Sequence, residues 1–185
     1  KTVTAGEGGM ICTNSKSINE KARHLKNHAI SPIKRYWHDD FGSNYRMTNI
    51  ACAIGISQLR KIEKILALKM KLFKFYEKLT PKGFYALKPI NSDIIASNWM
   101  NTYITEDKNL SKDLQDFLTL HKIENRPLFY PVHKMPMFAK ENFCLVNSEK
   151  LEGCGLNLPS YPHLINQPEK LNYIKEKLSE FEKCI

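Results

Sequence analysis

Lys1 opens the run Lys1-Thr2-Val3-Thr4-Ala5-Gly6-Glu7-Gly8-Gly9-Met10-Ile11, in which an amine precedes a cluster of glycines. A lysine attacks an aldehyde only as the neutral amine, a state that burial or neighbouring cations provide. On a strand end facing a cleft, its Nζ would be held in one orientation and could act as nucleophile and proton carrier. The plain alternative is a surface lysine, one of 23 in the chain. Further along, Asn44 and Arg46 stand just before a helix start at Thr48 or Asn49. An amide and a guanidinium beside a helix N-terminus suit a phosphate. Alternatively, Asn44 turns the loop and Arg46 pairs with Asp39 or Asp40. Tyr36, Trp37 and His38 offer ring faces with polar tips, which fit either a sugar nucleotide or a subunit interface. His133 lies in a loop stiffened by Pro131 and Pro136, where the plain reading is a surface or core-edge histidine. Arg126 faces either a substrate phosphate or a nearby carboxylate such as Glu124.

These residues need elements to hold them. Residues 2–13 alternate and turn at Gly6, Gly8 and Gly9, which predicts a β-hairpin. The glycines read as a tight turn before they read as a phosphate cradle, because neither G-x-x-x-x-G-K-[ST] nor G-x-G-x-x-G is present. Asn14 or Ser15 caps a helix to about Lys26, with Ile18, Ala22 and Leu25 at helical spacing. Residues 28–45 form a long loop whose aromatic density argues for order. A long helix, kinked or straight, then runs from Thr48 to Leu79 and stops at Pro81 and Gly83. Short strands are expected at 85–87, 99–105, 126–129 and 156–158. Helices are expected at 110–121, near 148–154 and at 167–183.

Composition narrows the class. With 185 residues and 42% apolar content the chain is globular, one domain or a small domain plus part of another. No apolar run reaches the ~18 residues of a membrane span, and Lys1-Thr2 does not begin a secretion signal. Cys12, Cys52, Cys144, Cys154 and Cys184 show neither a disulfide framework nor zinc spacing, so reduced thiols in the cytoplasm and no metal are expected. The net charge of +9 is carried by lysines interspersed with acids, with five arginines and no stacking cluster. That pattern predicts a solvated surface, no nucleic-acid site and at most a mild pull on anionic substrates. A boundary near residue 60 divides the chain into 1–60, the tail of one domain, and 61–185, a small α+β domain.

Four stretches resemble the DegT/DnrJ/EryC1/StrS sugar aminotransferases in order and spacing. They are Lys1 to Met10; Tyr36-Trp37-His38-Asp39-Asp40-Phe41-Gly42-Ser43-Asn44-Tyr45-Arg46-Met47-Thr48-Asn49, continuing to Leu59; Arg126-Pro127-Leu128-Phe129-Tyr130-Pro131-Val132-His133; and Leu156-Asn157-Leu158-Pro159-Ser160-Tyr161-Pro162. The stretch that starts at Tyr36 is most similar to the perosamine synthase branch, which aminates C4 of a GDP-linked 4-keto-6-deoxy hexose. Ser43 is a departure, standing where a tyrosine is common in the family.

The resemblance implies an α/β fold, the C-terminal part of a fold type I transferase dependent on pyridoxal 5′-phosphate (PLP). Lys1 would be the Schiff-base lysine and proton shuttle. Asn44, with Arg46, would hold the cofactor phosphate of the neighbouring subunit, which implies a homodimer with shared sites, or a tetramer built from it. Tyr36, Trp37, His38, Arg126 and His133 would face the sugar nucleotide. The resemblance also implies that the partner of the pyridine nitrogen and the ring-stacking residue belong to a segment before Lys1. The implied reaction converts a nucleotide-linked 4-keto-6-deoxy sugar to its 4-amino form, with glutamate as amino donor, for surface polysaccharide synthesis. The alternatives are a relative that aminates another keto sugar and a non-catalytic remnant that serves as a dimerisation module.

Overall fold

The computed structural model describes residues 1–91, 93–139 and 144–185. The chain divides into two compact units, Val3–Ile62 together with Lys1, and Glu63–Ile185 together with Thr2.

In the first unit the predicted hairpin does not form. Residues 1–13 contain no strand; Gly6 and Gly8 do adopt positive φ (81° and 140°), but Met10 and Ile11 are exposed. A two-stranded ribbon needs a covered apolar face to be stable, and none is provided here. Helix α1 (Lys16–Leu25) begins where Ser15 accepts a hydrogen bond from the Ile18 N–H at 3.4 Å. The following loop is ordered by main-chain bonds, two back to the end of α1 and one within the loop. Ser43 N–H donates to Leu25 O at 2.9 Å, Tyr45 N–H to Lys26 O at 3.0 Å, and Asp39 N–H to Ala29 O at 3.0 Å. Gly42 passes so close that a Cβ there would stand 2.3 Å from the Ala29 nitrogen. Only glycine fits that crossing.

Thr48 caps α2 (Asn49–Leu59) by accepting from the Ala51 N–H at 3.3 Å. The long helix expected from 48 to 79 is two helices, α2 and α3 (Ile62–Lys78). At the break the Lys61 N–H bonds to Gln58 O, a tightened i to i−3 turn with no proline or glycine to signal it. Helix α2 is apolar on every side, and none of its residues is buried.

The second unit is a sheet under helices. Strands β1 (Tyr85–Ala86), β2 (Asn101–Ile104), β3 (Arg126–Pro127) and β4 (Gly155–Leu158) lie in the order β1-β2-β4-β3, all antiparallel. The other helices are α4 (Lys108–Leu120), capped by the Asp107 carboxylate, α5 (Val146–Leu151) and α6 (Pro168–Glu182). Register sets Tyr103 opposite Leu156 and Thr102 opposite Asn157. Strand alternation therefore sends Tyr103, Leu156 and Leu158 into the helical core, where they meet Leu72 and Tyr76 of α3, Leu114 and Leu118 of α4, and Leu171, Ile174, Leu178 and Phe181 of α6. Each such side chain contributes ~1.5–3 kcal/mol by leaving water. The polar pair on the opposite face is satisfied, with Thr102 Oγ1 donating to Asn157 Oδ1 at 2.7 Å.

Two buried polar anchors lock this unit. The Tyr103 hydroxyl donates to Tyr76 O at 2.6 Å, and the Tyr76 hydroxyl to Pro159 O at 3.0 Å. Burial pushes both phenols well above their ordinary range. Lys69 of α3, 4% exposed, donates to three main-chain oxygens, those of Ser160, Trp99 and Asn98. Desolvation pushes its ammonium below the ordinary lysine value.

Candidate active site

Lys1 is exposed. Asn44 and Arg46 are brought together: the Arg46 Nε–H donates to Asn44 Oδ1 at 3.3 Å, and the Asn44 backbone bridges to Asn27. The bond uses the acceptor of the amide and leaves its NH₂ and the guanidinium Nη groups, all of them donors. A donor set of this kind fits a phosphate. Asp40 is not the partner of Arg46. Its carboxylate pairs with Lys21 and accepts from the Phe41 N–H at 2.8 Å, which holds it below the usual carboxylate range, the Lys21 bond most of all.

The aromatic patch forms the loop's outer edge. Tyr36, at φ 59° and 82% exposed, has the Arg35 guanidinium 4.8 Å from its ring centre and accepts from Arg35 Nη2 at 2.9 Å. The Lys34 ammonium sits 3.7 Å from the Trp37 ring centre. One face of each ring is thus already covered by a cation. The His38 Nδ1–H donates to His28 O at 2.7 Å.

In the second unit, Arg126 takes the carboxylate alternative: its Nη2 and Nε donate to Glu124 Oε1 at 2.7 and 3.1 Å. His133 lies in a short 3₁₀ turn, Val132–Lys134, with its side chain 9% exposed and Nε2 2.9 Å from Glu149 Oε1. Glu149 also lines an open groove of about 860 Å³, whose buried residues are Ile104, Thr105 and Cys154. Two residues of consequence carry a weak sequence signal or none. Lys69 falls on the stripe of Leu72 and Tyr76, at spacings of three and seven, and a lysine in such a stripe must find buried acceptors. Glu149 has no signal, because its partner lies on another element.

The mixed helix and sheet architecture is of the α/β class. It superposes on the crystal structure of the aminotransferase TlmJ from Streptoalloteichus hindustanus with a TM-score of 0.83, over 97% of this chain and 50% of that one, at 18% identity. The model of the DegT/DnrJ/EryC1/StrS aminotransferase family matches residues 1–179, and the chain belongs to that family. The family is PLP-dependent. The chain is 37% identical over 181 residues to the GDP-perosamine synthase of Escherichia coli O157:H7, covering 98% of this chain and 49% of the relative. It is 38% identical over 176 residues to the GDP-perosamine synthase of Vibrio cholerae, covering 92% and 47%. The chain spans about half the length of the curated relatives it matches. No helix among the described residues is long and apolar enough to cross a membrane.

Proposed function

We propose that the protein transfers an amino group to C4 of a GDP-linked 4-keto-6-deoxy hexose, with PLP as cofactor and glutamate as donor. The observation that carries this reading is the 37% identity to a GDP-perosamine synthase across 98% of the chain. PLP, when bound, supplies an aldehyde and an electron sink for moving an amino group. Lys1 is the amine that anchors the cofactor and holds the proton that moves at the sugar's C4 atom. The donor pair of Asn44 and Arg46 binds the cofactor phosphate. Tyr36, Trp37, His38, Arg126 and His133 bind and orient the sugar nucleotide, with Arg126 exchanging Glu124 for phosphate.

The active unit is a homodimer in which Asn44 serves the neighbouring subunit. The apolar surface of α2, exposed at Ile50, Ile54, Ile56 and Leu59, supports assembly, since a helix apolar all round is normally covered. Free thiols at all five cysteines support a reducing compartment, the cytoplasm. The product serves surface polysaccharide synthesis.

Incubation of the intact protein with PLP, glutamate and the GDP-linked keto sugar tests the reading by mass spectrometry. Conversion of the ketone to a primary amine is expected. Amination of UDP-linked substrates alone, or of none, contradicts it.

A further inference from the structure

His133 and Glu149 come from the 3₁₀ turn Val132–Lys134 and from α5, and their side chains meet at 2.9 Å. The same carboxylate oxygen accepts the main-chain N–H of Leu145 at 3.4 Å, so the start of α5 helps to hold it. Beside this contact, Lys134 Nζ donates to Glu152 Oε2 at 2.6 Å. Adjacent side chains of the turn are pinned by two carboxylates, Glu149 on α5 and Glu152 at its C-cap. Glu149 is held below the usual carboxylate range, chiefly by the His133 bond, and an ionised carboxylate can only accept. The proton of this contact therefore sits on Nε2, and Nδ1 is the ring atom that remains.

We propose that Glu149 is a positioning residue for substrate binding: it fixes the His133 imidazole in its Nε2–H form, so that Nδ1 is the atom the nucleotide sugar meets. This rests on the proposed role of His133 at the sugar nucleotide. A ring held at one nitrogen by a carboxylate has both tautomer and orientation set before the ligand arrives. Without the carboxylate the ring turns and exchanges tautomers, and part of each encounter is with the wrong form. The loss falls on binding and spares the transfer step.

The test uses the intact protein with PLP, glutamate and a GDP-linked 4-keto-6-deoxy hexose. Glu149→Ala should raise KM for the sugar about tenfold or more and leave kcat within about threefold. Lys134→Ala, which removes only the neighbouring brace, should stay within about threefold of the parent KM, while Glu149→Gln, whose amide can accept from Nε2–H or donate to a bare Nε2, should raise KM by less than Glu149→Ala does. Nitrogen-15 NMR should show His133 protonated at Nε2 in the parent, and the proton shared between the two ring nitrogens in Glu149→Gln and Glu149→Ala. A parent-like KM for Glu149→Ala beside a raised KM for His133→Ala overturns the role of Glu149. An equal rise for Lys134→Ala overturns it too, since anchoring of the turn alone would then explain the effect. If both His133→Ala and Glu149→Ala keep the parent KM while the NMR signature still shifts, the contact is real but His133 does not meet the sugar; the proposal then falls with that reading.

Discussion

The ammonium of Lys69 lies 3.1 Å from the main-chain oxygen of Ser160 and binds α3 to the segment that follows β4. The same nitrogen reaches Trp99 O at 3.2 Å and Asn98 O at 3.4 Å, so three stretches of backbone share one donor. Lys69→Met keeps most of the stem volume and strips that donor away. Loss of about 3 kcal/mol is expected, measured by urea unfolding. The dependence on pH has a definite sign. Burial sets the folded pKa below the ordinary 10.5, so between the two values the unfolded chain binds more protons. Stability should fall as pH drops from 10.5 towards the depressed value and be flat beneath it. Lys69→Met should lack this component, read as the difference between the two unfolding profiles.

Tyr103→Phe removes a hydroxyl that donates to Tyr76 O and leaves the ring in place. A loss of about 1 kcal/mol is expected near neutral pH. With the folded pKa raised above the ordinary 10.0, the tyrosine's contribution is complete below pH 10 and drains away as pH rises beyond it. The variant should therefore unfold less steeply in alkali than its parent, as followed by circular dichroism.

Gly42→Ala places a methyl group 2.3 Å from the Ala29 nitrogen and 2.5 Å from the His28 carbonyl carbon. Backbone cannot yield there as a flexible side chain would, so the 28–45 loop must separate from the end of α1. Faster proteolytic cleavage within residues 28–45 is expected. Cleavage at the parent rate would contradict the crossing.

Asn44→Ala should weaken PLP retention about tenfold, the scale of one charge-assisted hydrogen bond. Binding of pyridoxal, which lacks the phosphate, should not change. An equal loss for both ligands would move Asn44 away from the phosphate. Helical content should be unaltered, because Thr48 caps α2 without Asn44.

Local signals are readable wherever a residue answers to its own neighbours. Ser15 and Thr48 cap their helices, Gly83 takes positive φ after α3, and the elements of the second unit lie close to their expected positions. The aromatic loop is ordered, as its composition argues, but through main-chain bonds that no side-chain pattern encodes. The hairpin expected at 2–13 is absent because alternation and glycines describe a strand's chemistry, whereas a strand also requires a partner edge. The break at Arg60 and Lys61 is visible in the sequence only as a kink, since both residues are good helix formers. In the candidate site, Arg126 with Glu124 is legible at a separation of two. His133 with Glu149 is not, because a separation of sixteen and two different elements decide that contact.

In the proposed reaction Lys1 is the amine that bonds the cofactor. Borohydride reduction of the intact protein with PLP, followed by peptide mass mapping, tests it most directly. One stable pyridoxyl label is expected, on Lys1. A label on any other of the 23 lysines, or none at all, would contradict it.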